Sequence, residues 1–120
     1  MKVAISVWEG KISPVFDTAA TLLVLEIEGK KELSRFKTHF EEQAVIRRCA
    51  RIRVLGIDVL ICGAISRNFL DMLQTSGIQV IPWVCGSADQ VLEAFTKEPN
   101  GICLDSSFLM PGCSSVGLHK

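Results

Sequence analysis

Two spacings of apolar residues run through this chain. Lys2 to Trp8 is rich in Val and Ile and reads as a first strand. Thr21 to Glu28 and Lys30 to Thr38 read as a hairpin turning at Gly29, and the second arm carries Lys30, Lys31, Arg35 and Lys37. Such charges suit an exposed sheet edge because they discourage pairing with another chain. Val59 to Cys62 has no polar alternation, the pattern of a strand covered on both faces in a parallel sheet, and Ile78 to Pro82 is a second run of that kind. Between them lie a turn at Gly63, a helix that Ser66 can cap, and Gly77 where a left-handed glycine ends a helix. Phe69, Leu70 and Leu73 share one face of that helix, so Asp58 to Gly86 contains one βαβ unit.

Two more helices are predicted. Thr38 with Glu41 forms a capping-box pattern, and the helix that follows runs to about Leu55 with Val45, Cys49 and Ile52 inward. Arg47, Arg48 and Arg51 then form a stripe on its solvated face, which could also meet an acidic partner. Ser87 with Gln90 caps a helix from Ala88 to about Lys97 that buries Val91, Leu92 and Phe95 and stops before Pro99. Glu9 to Thr21 reads as a loop broken by Gly10 and Pro14. Residues 1–98 thus form one α/β domain, and residues 99–120 an irregular C-terminal tail packing on it or extending from it, with a short extended piece at Ile102 to Leu104.

Numbered along the chain, the five expected strands assemble economically in the order 3-2-1-4-5, a mixed sheet in which the second strand is antiparallel to the first and helices cover both faces. That is the ribonuclease H-like layout. Ligands of such sheets sit beyond the carboxyl ends of the strands where connections leave in opposite directions. The crevice is walled by Trp8 to Phe16 and Cys62 to Arg67, with Trp83 to Ser87 a candidate third wall.

Composition narrows the partners. The chain has 120 residues and a formal net charge of zero. Without a basic field it lacks what a general nucleic-acid binder needs to displace counterions. The opening MKVAISVWEG is too short a run for a secretory signal, and no stretch is long enough to span a bilayer, so the expected location is cytoplasmic. Five cysteines with no close pair argue for free thiols rather than a disulfide framework.

The crevice is poor in catalytic groups. A two-metal nuclease needs carboxylates gathered at the ends of the first and fourth strands, and Glu9, Asp58, Glu41 and Glu42 are not so placed. No P-loop, dinucleotide fingerprint or nucleophile elbow occurs. What it offers is backbone: Gly10, Gly63 and Gly86 let main-chain N–H groups approach an anion, Ser66 and Ser87 start helices, and Arg67 adds a positive charge. Cys62, Cys85 and Cys113 are soft donors that could converge with His39 or His119 on a metal, although their spacing matches no zinc pattern. Cys62 reads equally as a core residue at a strand end.

The opening KVAIS, the loop GKISPVFDTAATLLVLEIEG and the segment DVLICGAISRNFLDMLQTSGIQVI together resemble the dinitrogenase iron-molybdenum cofactor biosynthesis proteins, over about residues 2 to 97. The most specific marks are Ser13-Pro14 with Phe16, and the pattern from Asp58 through Gly63 to Gly77. These are small ribonuclease H-like domains that carry iron-molybdenum or iron-sulfur cofactor precursors, and relatives such as the orange protein hold a molybdenum-copper sulfide cluster without covalent attachment. The resemblance implies a non-catalytic carrier, with the Ser13 to Asp17 loop and the turn Cys62, Gly63, Ala64, Ser66 and Arg67 flanking an anionic metal-sulfur cluster. Asp17-Thr18 stand where the family usually has Gly-Arg, and Cys62-Gly63 where it tends to have Gly-Gly.

The leading expectation is therefore a cytoplasmic carrier of an iron-molybdenum, iron-sulfur or other metal-sulfide cluster, exchanging it with a donor or acceptor protein. It needs neither nucleic acid nor membrane. The alternatives are an interaction module using the helix arginines and the charged edge strand, and a thiol enzyme in which Cys62 works with His39.

Overall fold

The computed structural model describes residues 1–29, 31–39 and 44–97. Its sheet is built from β1 (Lys2–Trp8), β2 (Lys11–Ile12), β3 (Thr21–Glu28), β4 (Lys31–His39), β5 (Val59–Ile61) and β6 (Gln79–Ile81). The helices are α1 (Val45–Val54), α2 (Arg67–Thr75) and α3 (Ala88–Lys97). The strand order is β4-β3-β1-β5-β6, with β3 antiparallel and β5 parallel to β1, so the expected order of the five strands holds, and β2 lies off that path, paired with β1.

Alternation along β1 sorts the core into two clusters. Val3, Ile5 and Val7 point to the face covered by α3, where Val91, Leu92 and Phe95 meet Leu23, Leu25 and Ile27. Ala4 points to the other, where Leu22, Val24 and Leu60 are covered by Cys49 and Ile52 of α1 and Phe69 and Leu73 of α2. Each such side chain, withdrawn from water, contributes roughly 1.5–3 kcal/mol, and β1 is held from both sides because it lies in the middle.

Three expectations are corrected. The segment after Trp8 is not wholly loop: Glu9 and Gly10, at φ 52° and 78°, make a tight turn, and β2 folds back on β1 with Trp8 opposite Lys11. Positive φ at both central residues is what a two-residue hairpin turn demands, and Glu-Gly is a weaker signal for it than Asn-Gly. Thr38 caps no helix. It lies in β4 opposite Leu22, its hydroxyl accepting from Arg51 Nη2 at 3.1 Å, and α1 begins after Ala44 with no side-chain cap. The open edge of β3 outcompetes the local capping pattern, whose other member, Glu41, lies outside the described residues. Finally, Arg48 is not on a solvated face: it is 1% exposed. Lys30, Glu42, Pro99, the tail with Ile102, Cys103, Leu104, Cys113 and His119 also lie outside the described residues.

Candidate functional site

Three connections leave the carboxyl ends of β1, β5 and β6 and are fastened to one another by main-chain hydrogen bonds. Ile12 N–H donates to Gly86 O at 2.9 Å and Ala88 N–H to Gly10 O at 3.0 Å, which ties β2 to the start of α3. Phe16 N–H donates to Ala64 O at 2.7 Å and Ala64 N–H to Pro14 O at 2.8 Å, so the loop before the turn Phe16–Thr18 runs parallel to the segment after β5. Trp83 N–H reaches Gly63 O at 2.9 Å, with Trp83 at φ 65°. The rim is thus one continuous backbone structure.

Gly63 is glycine because of this closeness. A β-carbon there would lie 2.5 Å from the Pro14 carbonyl oxygen and nearer still to that of Ser13, and neither backbone atom can turn aside. The sequence reading had Gly63 open toward a ligand. The structure places the Pro14 loop against it instead, so the two turns meet with no gap between them.

Arg48 holds the same loop from beneath. Its Nη1 donates to Ala19 O at 2.7 Å and Phe16 O at 3.2 Å, anchoring both ends of the Phe16–Thr18 turn to α1. Phe16 is fully buried and meets Phe69 edge to face, ring centroids 4.9 Å apart. Helical spacing alone, which assigned Arg48 to water, carries no sign that a neighbouring loop would present carbonyls to it.

The head of α2 already has an anion. Asp17 Oδ1 accepts from Ser66 N–H at 2.9 Å, and Ser66 Oγ accepts from Phe69 N–H at 3.4 Å. A carboxylate at a helix N-terminus is favoured by the unpaired N–H groups and the helix dipole. Arg67, the expected source of positive charge, is 88% exposed and pairs with Asp71 at 3.6 Å on its own helix.

Cys62 sits at 0% exposure in the cluster with Phe16, Leu22, Leu60 and Phe69. Burial, and to a lesser degree the Asp17 carboxylate, pushes its thiol up to about 12, leaving it protonated and out of reach of a ligand at the rim. Cys85 is half-buried on the third connection, and Cys113 lies outside the described residues. Among the described residues no group of three His, Cys, Asp or Glu side chains is placed to hold a metal ion.

Space is available beside the joined turns. An open groove of about 450 Å³ is lined by Trp8, Ser13, Pro14, Val15, Thr18 and Thr21 among others, and none of its lining residues is charged. Trp8 is 61% and Val15 40% exposed there, while Ser13 is nearly buried. Of the residues expected to bind, Ser13 and Pro14 line this groove; Phe16, Cys62 and Gly63 support it from behind. Gly10 lines a second hollow, of about 380 Å³, between β4 and α3. That hollow is crossed by Arg35, which pairs with Glu32 at 2.6 Å and Asp89 at 3.6 Å.

Comparison with known proteins places this geometry in context. A family model described as dinitrogenase iron-molybdenum cofactor matches residues 1–98. Among solved structures, PH0822 superposes with a TM-score of 0.76 at 21% identity, over 81% of this chain and 89% of that one. MJ0327 of Methanocaldococcus jannaschii, provisionally described as a dinitrogenase, gives 0.67 at 22% identity over 81% and 88%. Its solution structure gives 0.66 at 23% identity over 82% and 89%. At such identities the likeness establishes the fold. No curated protein matches the chain in sequence.

Proposed function

The chain belongs to the dinitrogenase iron-molybdenum cofactor family, and from that membership we propose that it is a non-catalytic accessory protein that carries a metal-sulfur cluster or its precursor. The cargo is an iron-molybdenum, iron-sulfur or related metal-sulfide species, and its seat is the groove beside the joined turns. One observation carries this reading: three connections fastened by main-chain bonds support an open concavity at the carboxyl end of the sheet. A site fixed before cargo arrives spends little binding energy on ordering.

The roles differ from a thiolate site. The hydroxyl of Thr18 supplies a donor, Trp8, Pro14 and Val15 supply soft apolar contact, and Cys62 stays a structural thiol. Handing the cargo on requires a donor or acceptor protein that meets this rim.

Reconstitution tests the reading. Protein prepared without oxygen and incubated with iron, molybdate and sulfide should leave a desalting column with visible absorption and bound metal. Trp8→Ala should lower retention severalfold, and Cys62→Ala should leave it unchanged. Colourless, metal-free wild-type protein would end the proposal.

A further inference from the structure

The uncharged groove is joined to a titratable side chain through a hydroxyl. Thr21 lines the groove. In the sheet it stands between Val7 of β1 and His39 of β4, and its Oγ1 lies 3.2 Å from His39 Nδ1. A threonine hydroxyl has a single proton to give and lone pairs to accept with. When Nδ1 is bare it takes that proton, and the groove meets oxygen lone pairs, which disfavour an anion. When Nδ1 carries hydrogen the hydroxyl accepts from the ring, and its own proton is free for a ligand. The neutral imidazole shares a single hydrogen between its nitrogens, whereas the cation carries one on each. Protonation of His39 therefore leaves the Thr21 hydroxyl free to donate.

The surrounding charges are few. On β4, Lys37 lies on the same face as His39, and Arg35 beyond it pairs with Glu32 and with Asp89 of α3. Across the sheet β3 presents Thr21 and Leu23, and from α1 Arg51 reaches Thr38 on the opposite face. An imidazole is the side chain whose charge ordinarily changes between about pH 5 and 8. We infer, on the carrier reading above, that His39 is a positioning residue of the groove: protonated, it turns the Thr21 hydroxyl toward an anionic metal-sulfide ligand, and deprotonated, it withdraws that donor. Sulfide-bearing anions are then held more tightly in mildly acidic than in mildly alkaline solution, by about two- to tenfold, the worth of a single net hydrogen bond. By reciprocity the bound anion raises the pH at which the His39 ring titrates.

Freshly dissolved tetrathiomolybdate is the probe. Its dissociation constant is measured from about pH 6 to about pH 8, where imidazoles change charge, for wild type, His39→Asn, Thr21→Val and His119→Asn, each shown to be folded by circular dichroism. Binding by wild type and by His119→Asn should weaken at least about twofold across that interval. His39→Asn, which cannot ionise, and Thr21→Val, which keeps the imidazole but loses the hydroxyl, should give flat profiles. A sloping profile for Thr21→Val would mean that charge acts without the hydroxyl and would overturn the inference, as would a flat wild-type profile or no binding by any of the four. NMR of the His39 ring protons checks it in wild type alone: the titration midpoint should rise when the probe is added, and an unmoved midpoint would equally overturn it. Failure of the carrier reading looks different, since reconstituted wild type would then be colourless and free of metal, whereas failure of this inference leaves coloured protein that retains its metal equally at both ends of the interval.

Discussion

Replacing Gly63 by alanine would drive a methyl group into backbone carbonyls of the Ser13-Pro14 loop, and the expected cost is roughly 1–3 kcal/mol, read as a lower urea midpoint with an unchanged slope. Arg48→Met would leave Phe16 O and Ala19 O without their buried donor. A loss of about 2–3 kcal/mol is expected in urea unfolding, as for a hydrogen bond to a charged group, with the Phe16–Thr18 turn loosened more than the sheet. Cys62 gives a pH signature. Because its thiol is raised from 9.0 to about 12 in the folded chain, its contribution is fully present below pH 9 and is lost as pH rises toward 12, at up to about 1.4 kcal/mol per unit. Unfolding curves collected across that window should show the slope in wild type and a shallower one in Cys62→Ala.

Among the elements, α2 was the most legible in sequence. Its Ser66 cap is present, and Gly77 at φ 87° closes it, with Ile78 N–H to Leu73 O at 3.1 Å and Gly77 N–H to Gln74 O at 3.0 Å. Local signals decide such ends, so they can be read locally. Ser66→Ala should cost about 1 kcal/mol, seen as a lower thermal midpoint. The start of α1 was not legible because Thr38 had a competing use, pairing with Leu22 sixteen positions upstream in β3, a choice no local pattern records. β2 was missed for its length of two residues. The same limit applies to the site. The sequence places Ser13, Pro14 and the turn after β5 at one rim, but whether two turns leave a gap or close on each other depends on the register Val15 opposite Ala64, which is a tertiary fact. Arg48 and Asp17 acquire their roles only through that contact.

At the scale of the molecule, β1 lies between an antiparallel and a parallel neighbour under two clusters of core side chains, whereas β4 is an edge with Leu33 and Phe36 about half exposed. Amides of Val3 to Ile5 should exchange with solvent only through complete unfolding, and those on the outer side of β4 orders of magnitude faster, measured residue by residue by NMR. Among the described residues no helix is long and apolar enough to cross a membrane.

The fastening of the rim by peptide groups has a consequence for descent. Bonds such as Phe16 N–H to Ala64 O and Ile12 N–H to Gly86 O ask almost nothing of the side chains they join. Mutations at outward positions such as Trp8, Val15 or Thr18 can therefore accumulate without unfastening the scaffold. On the carrier reading proposed above, lineages that diverge at those positions can exchange one cargo for another while inheriting the same architecture.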